Sequence, residues 1–224
     1  MSSQTNKLSL LAGAVLIATL PFWAGDQYQL HLAALIAVYW ILIAGLNLVV
    51  GFTGQLSIGH VGLLSIGSYT YAILAGKMGL DPSLSVFVAG LFGGLCGLAL
   101  GLPSLRLPGF YFAMATMAFS MIVNEIVLAQ VDITGGGIGL PGPMFPPPFD
   151  SPIGFYYLVT VIALFVTWLT WNIARCMWGR AFISIRDNSV AAQSVGVPVF
   201  KAKLLAFVFS GITAGVAGAV FASL

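Results

Sequence analysis

The sequence predicts an all-α, polytopic transmembrane helix bundle of about seven spans, and three observations predict it. Of its 224 residues, 59% are hydrophobic and only 6% are charged. Mean hydropathy is +1.04, and apolar runs repeatedly reach the ~20 residues that cross a bilayer as helix. One long polar interruption, Arg175 to Lys203, holds five of the eight basic residues. A net charge of +2 gathered at helix ends carries no message about nucleic acid.

Seven hydrophobic spans follow in order: Leu8 to Trp23, Leu30 to Val50, Ile58 to Leu74, Leu84 to Leu102, Phe110 to Ala129, Ile153 to Ile173, and Leu204 to Leu224. Lys7 gives the first the look of a signal peptide, but Phe22 and Ala24 make a poor cleavage site, so it is expected to stay as an anchor. The whole chain, 1–224, reads as a single transmembrane domain with an outer loop at 130–152 and a cytoplasmic loop at 175–203. Setting the Arg175 to Lys203 loop in the cytoplasm by the positive-inside rule fixes the rest by alternation, with the N-terminus inside. Lys7, Arg106, Arg175, Arg180, Arg186, Lys201 and Lys203 then share the inner side, and Lys77 alone is outside with Asp26, Asp81, Asp132 and Asp150. The last span stops without charge, aromatic anchor or tail, so further helices are expected beyond Leu224.

Small residues recur at packing intervals, Gly93, Gly97 and Gly101 in the fourth span and Gly211, Gly215 and Ala219 in the seventh. Such stripes let helix backbones approach closely. Cys96 and Cys176 form no metal pattern and no disulfide framework, and read as packing residues.

Between the second and third spans, Gly51, Gly54, Gly59, Gly62 and Gly67 dilute helix propensity at membrane depth, so a broken or re-entrant segment is expected near Gly51 to Gly62. Non-helical backbone is tolerated there only inside protein or along a wet cavity. Gln55, Ser57 and His60 are thus candidate pathway residues; for His60 the alternative is a plain hydrogen bond to a neighbouring helix. In the fifth span Thr116, Ser120 and Asn124 recur every four residues on one helical face, with Glu125 one step round. A mid-membrane carboxylate marks a pathway by default. Glu125 either does so or reaches the outer interface, about 7 Å away at helical rise. Thr and Ser can also bond back to their own helix.

The outer loop holds six of the eleven prolines and is expected to be irregular and stiff, a surface cap that meets an extracytoplasmic partner. Gly135 to Gly137 lack a following Lys-Ser or Lys-Thr, which excludes a phosphate-cradling nucleotide loop. In the cytoplasmic loop, Asp187, Asn188 and Ser189 supply helix-start chemistry. Val190 to Val195 make a short helix, and Gly196 and Pro198 stop it. Ala191 and Ala192 give it a narrow face for a groove on another protein, flanked by Arg186, Lys201 and Lys203.

Four ordered blocks resemble one family, the permease subunits of ATP-binding-cassette importers for branched-chain amino acids: Gly45 to Ala72, Leu105 to Phe119, Thr134 to Leu140, and Gly179 to Ala219. Ala191 to Gly196 is similar to the coupling-loop motif by which such permeases contact their ATPases. The resemblance implies coupling through Arg186, Asp187, Ala191, Ala192 and Gly196. It also implies a second homologous permease, two cytoplasmic ATP-binding subunits, an extracytoplasmic substrate-binding protein and surrounding membrane lipid. No catalytic residue, metal, cofactor or nucleic acid is expected. Relatives that move urea or short amides look much alike, so the cargo stays open between these and branched-chain amino acids. An ion-coupled secondary transporter is the competitor from another class, with only Glu125 and His60 as intramembrane ionisable groups. An intramembrane hydrolase built on Ser57 and His60 lacks a third group to orient the histidine.

Overall fold

The computed structural model describes Pro21, residues 26–105, Leu107 and residues 109–224. The predicted first span, Pro21 apart, and Lys7 and Arg106 lie outside the described residues. Five helices among those described are long and apolar enough to cross a membrane. They are α1 (Gln27–Asn47, prolonged by a π-helical turn, Leu48–Phe52), α3 (Pro82–Gly101), α4 (Gly109–Ala129), α6 (Pro152–Arg175) and α9 (Val199–Ala222). Shorter helices are α2 (His60–Tyr71), which runs into a π-helical stretch Ala72–Lys77, α5 (Val131–Thr134), α7 (Met177–Asp187) and α8 (Ser189–Ser194). The chain is therefore a multi-pass membrane protein, and the predicted third span is a shorter helix preceded by non-helical backbone.

Local chemistry sets the helix starts. Asp81 Oδ1 accepts from the Ser83 amide at 2.8 Å with Pro82 in the first turn of α3, and Ser151 Oγ accepts from the Gly154 amide at 3.1 Å with Pro152 opening α6. Each cap satisfies an orphan amide, and each proline sits where its missing N–H costs nothing.

α9 is the hub and packs on α1, α2 and α3. Its contact with α3 is backbone against backbone. A methyl built on Gly93 would run into the Gly211 carbonyl oxygen, one on Gly97 into that of Phe207, and one on Gly211 into that of Gly93. Gly215 meets Ala89 and Gly67 in the same way. Lipid tails are as apolar as leucine, so burial alone gives helices little reason to associate; close van der Waals contact supplies the reason. The outward faces stay apolar, as Leu84, Phe87, Leu91, Leu95 and Leu98 on α3 show.

The bundle has two unlike ends. At one, Tyr71 Oη donates to the Pro143 carbonyl at 3.1 Å and its ring stacks on Phe145 with centroids 5.9 Å apart. Lys77 Nζ donates to the Asp132 and Ile133 carbonyls at 2.7 and 2.8 Å. The proline-rich loop is thus irregular and fastened to α2, with α5 as a single turn within it. At the other end lie Arg175, α7, α8, Lys201 and Lys203, the basic end. α7 was not expected from the sequence; Phe182 and Ile185 bury its inner face against Phe112, Ala202, Ala206 and Phe207. Cys96 packs beside the central core, whereas Cys176 is exposed at the α6–α7 junction and is not a packing residue.

Candidate functional site

The helix break begins in the π-helical turn that ends α1. Thr53 Oγ1 donates to the Val49 carbonyl at 2.6 Å, and the Gln55 amide donates to the same oxygen at 3.2 Å. Gly54 then takes φ +71°, a left-handed conformation that glycine adopts without a Cβ penalty. Helix resumes only at His60. Two contacts hold this extended stretch in the bundle. The Ile58 amide donates to Thr116 Oγ1 at 3.0 Å, and Arg186 Nη1 donates to the Gly51 carbonyl at 3.0 Å. The π turn and the break leave carbonyls without helical donors, and the guanidinium meets one of them.

His60 is buried, with Nε2 3.1 Å from the Leu42 carbonyl oxygen and Nδ1 3.4 Å from Ser210 Oγ. A carbonyl can only accept, so Nε2 carries the proton and Nδ1 of the neutral ring accepts from the serine. The ring thereby joins α1, α2 and α9, the neighbouring-helix hydrogen bond that stood as its alternative. Ser210 was not singled out from the sequence, because the partner lies 150 residues away.

The polar face of α4 divides. Thr116 is fully buried and donates back to the Ala113 carbonyl at 2.9 Å. Ser120 lies against α2, where a methyl on Gly62 would come within 3.1 Å of its hydroxyl. Asn124 and Glu125 are exposed on the far half of the helix. Ser57 is half-buried. Among the described residues, the Ser120 hydroxyl and both polar atoms of the Gln55 amide are shut off from solvent without a hydrogen-bond partner. A buried polar group without a partner is costly, so these two positions differ in kind from His60 and Thr116.

At the basic end Asn188 Oδ1 accepts from the Val190 and Ala191 amides, both at 3.0 Å, which starts α8. Gly196 at φ +86° ends it. Ala191 and Ala192 do not share a face. Ala192 is buried with Phe182, Ile185 and Ala202, whereas Ala191 is exposed beside Val190 and Val195. A six-residue helix has one side on the bundle, so adjacent residues part company. Arg186 and Asp187 are exposed and paired at 3.3 Å.

A cleft of about 450 Å³ lies between the break and the basic end, lined by Thr53, Gln55, Ser104, Arg186, Ser189 and Lys203 among others. Ser104 escaped the sequence reading, and Lys203 was read only as a charge flanking α8. Their spacing carries no periodic signal, and only the fold brings them beside Gln55.

Comparison with known proteins gives the following. The model of the family described as "Branched-chain amino acid transport system / permease component" matches residues 28–224. The high-affinity branched-chain amino acid transport system permease protein LivM of Escherichia coli (strain K12) is 33% identical over 251 residues, covering 99% of this chain and 58% of the relative. LivM of Salmonella typhimurium is 32% identical over 249 residues, with the same coverage of 99% and 58%. The autoinducer 2 import system permease protein LsrC of Enterobacter sp. (strain 638) is 29% identical over 219 residues, 85% of this chain and 62% of the relative. The chain thus spans about 58% of the length of the LivM proteins it matches. No solved structure matches it.

Proposed function

The chain belongs to the family of permease components of branched-chain amino acid transport systems, and from that premise we propose that it is a translocation subunit of an ATP-driven importer for branched-chain amino acids in a bacterial inner membrane. In this reading it forms half of the pathway with a second, homologous permease. Two cytoplasmic ATP-binding subunits drive it, and an extracytoplasmic binding protein delivers the substrate. The basic end and the N-terminus lie in the cytoplasm.

The observation that carries the coupling role is α8. It is a capped helix, held between two membrane helices with one side on the bundle, and it shows Val190, Ala191 and Val195 to the aqueous phase. A positive-inside loop explains charge but not exposed apolar side chains on a built helix. Arg186 ties α7 to the broken segment through Gly51, so force applied to α8 reaches the segment between α1 and α2 along a direct contact. ATPase closure would shift α8 and switch the pathway between two states, with Gln55, Ser57, His60, Thr116, Ser120, Asn124 and Glu125 as candidates for its wall. His60 and Thr116 act in it as positioning groups, because their hydrogen bonds are already made within the bundle. Catalysis of ATP hydrolysis belongs to the partner subunits.

The relatives named for autoinducer 2 import keep a second cargo class in view. The protein's own selectivity is read by uptake of leucine, isoleucine and valine in competition with other solutes.

Co-purification of the full-length permease with its candidate ATPase subunits tests the assignment. Wild type retains them, and Ala191→Glu loses them while inserting normally. Wild-type permease that never retains an ATPase, with uptake following an ion gradient instead, would return the protein to the ion-coupled class.

A further inference from the structure

The cleft at the basic end holds, beside the coupling residue Arg186, a cation that coupling does not use. Two cationic residues, Arg186 and Lys203, line it with Thr53, Gln55, Ser104 and Ser189. Its volume of about 450 Å³ is that of a small-molecule site. The neighbouring carboxylate of Asp187 is paired with Arg186 Nε. Lys203 has neither a carboxylate nor a hydrogen-bond partner among the described residues, although it is half-buried. Gln55 is among the lining residues, although both polar atoms of its amide are shut off from solvent. Arg186 is fixed at one nitrogen by the Gly51 carbonyl, and its stem rests on Gly54, where a methyl would come within 2.7 Å of Cγ. A fixed guanidinium with N–H groups to spare and a half-buried, unpaired ammonium on one cavity form a receptor short of one anion.

We propose that this cleft is an oxyanion site that takes a phosphate group, with Lys203 supplying the unpaired charge and the remaining N–H groups of the Arg186 guanidinium donating to its oxygens. The phosphate comes either from the headgroup of an anionic phospholipid, for which basic pockets at the cytoplasmic ends of membrane helices are suited, or from free phosphate in the cytosol. This rests on the cytoplasmic placement of the basic end proposed above. A ligand held there touches both the broken segment and the α7–α8 unit, so its occupancy would bias the motion that links them.

Binding to the full-length permease in nanodiscs tests this without ATPase subunits, so a failure here leaves the importer assignment standing, and the reverse also holds. One arm uses phosphatidylcholine discs dialysed against radiolabelled inorganic phosphate. The other uses mixed phosphatidylglycerol and phosphatidylcholine discs, with retained lipid counted by native mass spectrometry. Wild type retains the phosphate group in one arm, which identifies the source. Lys203→Gln weakens retention about tenfold or more, as expected for loss of a charge-assisted contact. Lys201→Gln, exposed nearby and outside the cleft, leaves it unchanged. Arg186→Gln is the second variant, should Lys203→Gln fail to fold, and reduces retention by several-fold. No retention by wild type in either arm, or equal loss with Lys201→Gln, would overturn the site.

Discussion

The seam between α3 and α9 and the basic end beneath it are built on opposite principles. In the seam, Gly93, Gly97, Gly211 and Gly215 bring backbone against backbone, and a single added methyl has no room. At the basic end the backbone leaves its helix from Gly54 to Gly59, polar groups line a cleft, and the Gln55 amide has no partner among the described residues. Packing of the first kind transmits a push as a rigid body. The second kind holds alternatives in reserve, because unpaired donors and acceptors find partners in another arrangement or in a ligand. The transport role proposed above needs both, a stiff lever and a place where it bends.

The strongest way to break the contrast is Gly211→Leu. Its side chain meets the backbone of Gly93 and Gly97, which cannot yield as a rotamer does, so we expect a loss of about 3 kcal/mol or more and failure to purify as a single species. Thermal unfolding and gel filtration in detergent read this, and a wild-type melting curve would show that the seam is looser than its geometry.

Asn188→Ala is milder. It removes the cap of α8 and costs about 1 kcal/mol locally. Amide exchange at Val190 and Ala191 should quicken while the melting of the bundle hardly moves. If the whole bundle destabilises equally, the basic end is not an independent unit.

Ser120→Ala is the smallest, within about 0.5 kcal/mol of wild type in stability, because the hydroxyl it deletes has no partner to lose. Uptake sharpens the result. Lower uptake at unchanged stability assigns Ser120 to a wetted wall, and unchanged uptake assigns it to packing against Gly62.

Much of the fold was legible in the residues, and for identifiable reasons. Apolar runs of membrane-spanning length marked α1, α3, α4, α6 and α9. Glycines at four-residue intervals marked the seam, because only close packing makes such spacing useful in lipid. Asn188 and Gly196 bracketed α8 through local capping chemistry. The candidate site was legible only in part. His60 and Thr116 stood out as polar groups within apolar spans and Gln55 as one in the break between two of them, but which of them already had partners depends on Leu42, Ser210 and Ile58, which lie elsewhere in sequence or carry no signal of their own. The helix α7 was hidden in a loop read for its charge. The Ala191–Ala192 pair was read as one face because alanine looks alike on either side of a short helix.

By itself the sequence determined class, spans, the position of the break and the basic end. These follow from the cost of exposing peptide groups and charges to lipid, which each segment meets on its own. Only the tertiary structure decided that Arg186 reaches Gly51, that His60 closes a three-helix junction, that Ala192 turns inward while Ala191 turns out, and that Lys203 and Gln55 share one cleft. Those outcomes depend on how helices distant in sequence rotate against each other, and rotation is set by the fit of side chains and glycine gaps across an interface, to which no single segment holds the key.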